Sequence, residues 1–310
     1  MRLTRYAHSF PFARTDSGSV ATIGSYDGLH LGHQKLLDHV LEVARERGLP
    51  SVVMSFEPTP KEFFAREKPP ARLMRFREKF EALADYGVDI FFCPRFDESM
   101  KRISAADFIR RILVQTLNVR HLVIGDDFRF AQDREGHLQM LQRAGRSLKF
   151  SVEQLSSVIV EGERVSSTAV RTALDAGDLA KARKLLGRDY RMSGRVIRGQ
   201  QLGRELGYPT ANVNLNRRRS AVMGIFAVRV TGPGWGPLDG VASVGTRPTF
   251  AGTKLLLEVH IFDFNEEIYG QAIHVDFVAR LRSEQKFDEA RELVEQMHKD
   301  AAEARAILAA

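Results

Sequence analysis

The sequence predicts two domains, an α/β domain on a parallel sheet followed by a smaller antiparallel β domain that ends in a helix. Three observations predict it. Through residue 186, apolar strand-like runs alternate with apolar positions at helical spacing, the pattern of a parallel sheet covered on both faces by crossover helices. From residue 190 the pattern changes to short β-like runs separated by glycine and proline, which is that of an antiparallel sandwich or barrel. The length of 310 residues is large for one core, so the expected domains are 1–186 and 187–310.

The first strand is the apolar run 20–23. It leads into Gly24-Ser25-Tyr26-Asp27-Gly28-Leu29-His30-Leu31-Gly32-His33, a polar turn broken by glycines. A helix follows from Gln34, with Leu36, Leu37, Val40, Leu41 and Ala44 at helical spacing and Gly48 placed to end it. A helix start offers unpaired backbone N–H groups and a positive dipole end, and the glycines let an anion approach the main chain. His30 and His33 are one helical turn apart, so both can face that anion. The alternation continues with a strand over 51–56, a helix over 72–86, a strand over 88–92, a helix over 104–117 capped by Ser104, and a strand over 120–124. Parallel sheets take ligands beyond the carboxyl ends of their strands, and the Gly24 turn lies at such an end.

Two further stretches would wall that site. Gly125-Asp126-Asp127-Phe128-Arg129-Phe130-Ala131, followed by Arg134-Glu135-Gly136, comes directly off a strand, and read alone it is a charged surface loop. Ser166-Ser167-Thr168-Ala169-Val170-Arg171 is a second helix start. Its hydroxyls, N–H groups and guanidinium suit a triphosphate. Residues 174–186 then read as two short helices, broken near Gly177 and stopped by Gly187.

In the second half the β-like runs are 194–197, 224–230, 240–244, 255–264 and 273–278, and a helical pattern over 287–308 should pack on their outside. The stretch from Gly199 to Asn212 holds neither a Walker A loop nor G-x-G-x-x-G. It does hold Thr210 and Asn212, two apart in an extended segment, which sets a hydroxyl and an amide oxygen on one face. Hard oxygens of this kind are what Mg²⁺ takes. Over 255–262, strand alternation puts Leu256, Glu258, His260 and Phe262 on the face opposite Leu255, Leu257, Val259 and Ile261. A carboxylate among apolar neighbours there would have its charged form disfavoured.

Composition narrows the class. Apolar content of 44% and charged content of 27% are those of a soluble globular chain. No stretch reaches the length of a membrane span and the start lacks a signal-peptide pattern, so a cytoplasmic protein is expected. Cys93 is the single cysteine, which excludes an intrachain disulfide and argues against a cysteine-based zinc site. It reads as buried filler. A net charge of +7 and a pI near 9.6 point to an anionic partner, a nucleotide or a nucleic acid. The basic run Arg217-Arg218-Arg219 reads as a solvated loop.

Residues 24–33 resemble the H-x-G-H signature of nucleotidyltransferases, which move a nucleoside monophosphate from a nucleoside triphosphate. With the 125–136 and 166–171 stretches, residues 1 to 186 are similar to the adenylyltransferase half of the prokaryotic bifunctional riboflavin kinase/FAD synthetase family. Gly203-Arg204-Glu205-Leu206-Gly207-Tyr208-Pro209-Thr210-Ala211-Asn212 looks like part of that family's riboflavin kinase domain. So do Gly245-Thr246-Arg247-Pro248-Thr249, Glu258-Val259-His260 and Leu281-Arg282-Ser283-Glu284-Gln285-Lys286-Phe287. The resemblance implies a Rossmann-like α/β nucleotidyltransferase followed by a six-stranded antiparallel Greek-key barrel. It implies that riboflavin plus ATP gives FMN and ADP, and that FMN plus ATP gives FAD and pyrophosphate. Mg²⁺ is the implied cofactor, with no redox cofactor. The implied partners are riboflavin, FMN and ATP, without nucleic acid or membrane, and weak self-association is left open.

The same resemblance implies site residues. His30 and His33 would contact the triphosphate at the transition state, and Gly24, Tyr26, Asp27, Gly32, Ser167, Thr168 and Arg171 would hold ATP and its phosphates. Asp127, Phe128 and Arg129 would line the flavin and nucleotide cleft. In the kinase, Gly199, Gly203, Gly207 and Pro209 would bind ATP, Thr210 and Asn212 would carry Mg²⁺, Glu258 would be the general base, and Arg282 and Glu284 would meet the flavin. The chain departs from the family pattern at Tyr26, where phenylalanine is commoner, at Ala131, where glycine is usual, at Phe226 for tyrosine and at Ser243-Val244 for asparagine-isoleucine. A rival of a different class is a basic RNA-binding protein on these folds, with salt-dependent RNA affinity and no turnover.

Overall fold

A computed structural model describes residues 1–6, 17–199, 207–217, 219–249 and 252–310. Strands β1 (Arg2–Thr4), β2 (Ser19–Ile23), β3 (Ser51–Met54), β4 (Ile90–Phe92), β5 (Val119–Gly125) and β6 (Ser151–Leu155) form one sheet in the order β1-β4-β3-β2-β5-β6. Every pairing in it is parallel. Between these strands run α1 (Leu31–Arg47), α2 (Pro60–Phe64), α3 (Phe76–Asp85), α4 (Glu98–Lys101), α5 (Ala105–Asp107), a π-helical continuation Phe108–Thr116, and α6 (Leu138–Leu148). Strand alternation divides the core between the two faces. Ala21, Ile23, Val52 and Met54 pack with Phe108, Ile112 and Leu113 on one side. Val20 and Val123 meet Val40, Val43 and Ala44 of α1 on the other.

Chain order reverses between β2 and β5, because β3 and β4 step outward in one direction and β6 in the other. A crevice therefore opens beyond the carboxyl ends of β2 and β5, at the topological switch point. The turn after β2 is the glycine-broken stretch, and the loop after β5 is the Asp-Asp-Phe-Arg stretch.

The local signals hold where they are short-range. Gly48 ends α1 in the left-handed conformation (φ 62°), and the Ser104 side chain caps its helix by accepting the Asp107 N–H. α1 begins earlier than Gln34, since His30 itself is the cap and its Nδ1 accepts the His33 N–H. The helix expected over 72–86 forms only from Phe76. Edge strand β6 was not expected, because a strand whose residues are all exposed or half-exposed shows no apolar alternation. Cys93 is buried, as read.

After a short hairpin of β7 (Ile159–Val160) and β8 (Glu163–Arg164) come α7 (Ser167–Ala176) and α8 (Leu179–Leu186), separated and stopped by Gly177 and Gly187. Strands β9 (Tyr190–Ile197), β10 (Ala211–Asn214), β11 (Gly224–Gly232), β12 (Trp235–Thr249), β13 (Gly252–Ile261) and β14 (Ala272–Arg282) close into an antiparallel barrel in the order β10-β13-β12-β11-β14-β9. Helix α9 (Ala290–Leu308) packs outside it on Ala227, Val241 and Ala279.

The described residues fall into two compact units, Met1–Pro70 with Met74–Val165, and Ala71–Leu73 with Ser166–Ala310. The division precedes the 186/187 boundary expected from the change of pattern, because α8 packs on β9 and β14 and α7 packs on α8. Residues 71–73 join the second unit through Arg217, which corrects the solvated reading for that residue, while Arg219 is exposed as expected and Arg218 lies outside the described residues. Arg217 is half-buried, and its Nη1 donates to the Arg72 carbonyl at 2.7 Å and to the Tyr190 hydroxyl at 3.1 Å.

Candidate active sites

In the first unit the glycine-broken turn wraps around two imidazoles. His30 and His33 stack with ring centroids 3.7 Å apart and planes 16° from parallel. The His33 backbone N–H reaches His30 Nδ1 at 3.3 Å, which puts the His30 proton on Nε2. The Nδ1 of His33 is buried with no hydrogen-bond partner among the described residues. Burial first, then the positive charges of His30 and Lys79, hold the His33 pKa well below the ordinary imidazole range. Its ring is neutral at pH 7 and presents one N–H.

The turn reaches this arrangement by unusual backbone. Tyr26 and Leu29 have φ of 47° and 43° and Gly28 has 91°, a cluster of left-handed residues of the kind found where a loop is held for function. The buried Tyr26 ring lies 4.9 Å from that of His33, and its hydroxyl is 2.7 Å from Thr22 Oγ1. Gly24 lets the ring close over the main chain, since a Cβ there would stand 3.0 Å from it. A Cβ on Gly32 would stand 3.3 Å from the His30 ring and 3.7 Å from the Val165 carbonyl. Asp27 is buried and accepts the Met74 N–H at 2.8 Å, fixing the turn to the approach to α3. Sequence reasoning missed Lys79. It is 3% exposed, and its Nζ donates to the Ser25 carbonyl at 2.6 Å, bringing a cation under the turn. Its only sequence signal was a lysine within a helix's apolar stripe, which is common on amphipathic surfaces.

The loop after β5 opens at the same switch point. Asp127 pairs with Arg164 at 2.9 Å, Phe128 is half-buried and stacks on Phe130, and exposed Arg129 donates to the Phe128 carbonyl. Ala131 takes φ 65°, ψ −172°, a conformation that glycine adopts freely and alanine does not. In the second unit, Ser167 and Thr168 open α7 behind the Ser166 cap. Arg171 donates from Nε to the Ala71 carbonyl at 2.6 Å and from Nη1 to the Ser167 carbonyl at 3.1 Å.

The barrel presents a second constellation. In register, Asn212 of β10 stands opposite Glu258 of β13, and Glu258 stands opposite Ser243 of β12. The three form a row across adjacent strands on the half-buried outer face, while Val213, Leu257 and Val244 fill the interior. The apolar surroundings expected for Glu258 are thus corrected, since its cross-strand neighbours are an amide and a hydroxyl. Gly199 lies against the Asn212 side chain so closely that a Cβ would stand 2.7 Å from Oδ1. Gly245, two residues from Ser243 on the same face, is covered by the Glu284 carboxyl, whose pKa burial raises. Thr210 precedes β10 and is half-buried. Gly207 turns with φ 83°, and the Pro209 carbonyl accepts from His260 Nδ1 at 2.9 Å. Gly203 lies outside the described residues.

Arg282, expected to meet the flavin, is engaged in this structure by helix α9. Its guanidinium binds Asp300 of α9 bidentately, Nε to Oδ1 at 2.9 Å and Nη2 to Oδ2 at 2.7 Å. A second contact to α9 comes from Tyr208, whose hydroxyl is hydrogen-bonded to His298.

These two constellations sit on folds with known relatives. Sequence models of the FAD synthetase and riboflavin kinase families match residues 12–169 and 186–308. The bifunctional riboflavin kinase/FMN adenylyltransferase of Escherichia coli K12 is 47% identical over 305 residues, covering 98% of this chain and 97% of that protein. The same enzyme of Pseudomonas fluorescens is 46% identical, with 100% and 98% covered, and that of Haemophilus influenzae is 43% identical, with 99% of each covered. A crystal structure of a macrolide-efflux protein from Streptococcus pneumoniae superposes with a TM-score of 0.80 at 30% identity over 96% of each chain. With both domains matched in order and relatives similar over nearly their whole length, the chain belongs to the family of bifunctional riboflavin kinases/FMN adenylyltransferases and carries both activities.

Proposed function

We propose that the two reactions use separate groups, adenylylation the His30–His33 turn and phosphorylation the outer barrel face around Glu258. The observation that carries this reading is the stacked imidazole pair with a buried, unpartnered Nδ1 at the switch-point crevice. In adenylylation an oxygen of the FMN phosphate attacks the α-phosphorus of ATP and the bond to the β-phosphate oxygen breaks, releasing pyrophosphate. Such in-line transfer asks the protein for positioning and charge stabilisation. His30 and His33 supply N–H donors to the phosphate oxygens, with Lys79 adding positive charge behind them. Gly24, Tyr26, Asp27 and Gly32 shape the turn. Ser167, Thr168 and Arg171 serve as phosphate ligands, and Asp127, Phe128 and Arg129 serve the flavin and nucleotide.

In the kinase step Glu258 takes the proton of the riboflavin terminal hydroxyl as that oxygen attacks the γ-phosphorus and ADP leaves. Thr210 and Asn212 offer hard oxygen donors, and glycine at 199 leaves room for the Asn212 amide, so this corner fits Mg²⁺. Bound there, the ion would neutralise phosphate charge. Gly199, Gly207 and Pro209 line the ATP side and Glu284 the flavin side. Arg282 acts by holding α9. No helix among the described residues is long and apolar enough to cross a membrane. Small-molecule substrates suffice for both steps, without nucleic acid or membrane, in the cytoplasm.

Two variants test the allocation. His33→Ala should slow FAD formation from FMN by about 10²-fold, the scale of losing one stabilising donor, with FMN formation intact. Glu258→Gln should slow FMN formation by about 10² to 10⁴-fold, the scale of a general base, with FMN adenylylation intact. Loss of both activities in either folded variant, or of neither, would overturn the assignment.

A further inference from the structure

A second polar cluster lies on the α1 face of the sheet, toward the opposite end of β5 from the crevice. It joins His39 of α1, His121 of β5 and Glu153 of β6, whose ligand-capable atoms lie within 4.8 Å of one another. Among the described residues it is the one such group of histidine and carboxylate side chains. His39 Nε2 is 2.8 Å from Glu153 Oε2, and His121 Nε2 is 3.3 Å from the same oxygen.

The hydrogen bonds around His121 say what this cluster lacks. Ser151 Oγ donates its one proton to the Arg120 carbonyl at 3.3 Å. Ser151 Oγ also stands 2.7 Å from His121 Nδ1, and in the tautomer with its proton on Nδ1 the ring donates to that hydroxyl. In that tautomer Nε2 presents its lone pair to the Glu153 carboxylate oxygen 3.3 Å away. Its residue is 5% exposed, and Nε2 has no hydrogen-bond partner among the described residues. A buried lone pair set against an anion is unfavourable by itself and becomes favourable with a cation between them.

We propose that His39 Nε2, His121 Nε2 and Glu153 form a binding site for a divalent transition-metal ion of the Zn²⁺ class. Two imidazoles and one carboxylate with a fourth position open to water make up a common Zn²⁺ ligand set. Bonds of about 2.0–2.1 Å in a tetrahedron set ligand atoms about 3.3 Å apart. The His121–Glu153 spacing already has that value, and the His39–Glu153 pair must open by about half an ångström. On binding, His39 gives up its Nε2 proton and holds one on Nδ1, which faces Glu42 at 3.6 Å. Glu42 and Ser151 then orient the two imidazoles from behind, the arrangement that supports metal-bound histidines. The ion would clip edge strand β6 to β5 and α1, a structural role apart from either reaction.

The test uses the full chain, stripped with a chelator and titrated with Co²⁺ by its visible d–d absorption and with Zn²⁺ by calorimetry. Wild type should bind one ion at this site. His39→Ala and Glu153→Gln, the first at a half-exposed position and the second near-isosteric, should each weaken binding by about 10²-fold or more while far-UV circular dichroism is unchanged. Zn²⁺ should raise the melting temperature of wild type and of neither variant. Absence of binding at micromolar metal, equal binding by wild type and both variants, or loss in only one of them would each overturn the three-ligand site.

Discussion

Removing the carboxylate of Asp300 tests whether Arg282 serves α9 or the flavin. Asp300 is 4% exposed and accepts from Arg282 and, at 2.9 Å, from Gln296. Breaking a fully buried ion pair from one side costs about 3–5 kcal/mol, because a charge is left without its partner. The Arg282 side chain keeps 17% of its exposure, so water recovers part of this, and Asp300→Ala should destabilise the barrel by about 2–3 kcal/mol. Trp235 of β12 is the sequence's one tryptophan, and it packs 4.8 Å from the Phe264 ring. Its fluorescence reports unfolding of the barrel in urea. The double variant Arg282→Met/Asp300→Leu should be more stable than the sum of the single changes by about 2 kcal/mol, against the roughly 0.3–0.5 kcal/mol scatter of independent sites. If both residues act by holding α9, Asp300→Ala and Arg282→Met should shift the riboflavin KM together. Additive stabilities, with a riboflavin KM raised only in Arg282→Met, would refute the docking role and restore Arg282 to the flavin.

Ala131→Gly should stabilise the first unit by about 1 kcal/mol, as relief of roughly 1–3 kcal/mol of backbone strain is offset by glycine's larger entropy loss; chemical denaturation measures it, and destabilisation would show the alanine to be unstrained. Gly199→Ala, whose methyl would press on the Asn212 amide, should slow FMN formation on the order of 10²-fold, the effect of a misplaced catalytic group, with adenylylation of supplied FMN as the internal control. His33 also makes stability depend on pH. Its pKa is depressed below 6.5 in the folded protein, so between the two values the unfolded chain binds more protons. The contribution of the neutral ring is complete above about pH 6.5 and is lost as pH falls toward the folded-state value. Melts between about pH 7.5 and 5.5 should fall less steeply for His33→Asn than for wild type, and equal slopes would exclude His33 as a source.

Much of the candidate adenylyltransferase site was legible, because its signals are local. A cap joins residues three apart, as in His30 and His33 or Ser166 and Ala169. A left-handed stop needs one glycine, as at Gly48, Gly177 and Gly187. The alternation that set Glu258 apart from Leu257 and Val259 is likewise a property of adjacent residues, and the burial pattern follows it. Edge strand β6 was missed for the complementary reason, since a strand with little to bury carries no periodicity.

What only the tertiary structure decided are encounters between residues far apart in the chain. The sequence alone determined an α/β half and an antiparallel β half, their helix ends, and the His30–His33 and Thr210–Asn212 pairs. It could not say that Glu258 would find Asn212 on one side and Ser243 on the other, because register is chosen by the closing of the whole barrel. Nor could it bring Lys79 beneath Ser25 or turn Arg282 to Asp300. His39 and Glu153 meet across 114 residues of sequence. Such contacts are made by packed sheets and helices whose arrangement minimises exposed apolar surface everywhere at once, and a local stretch of chain holds no record of that optimum.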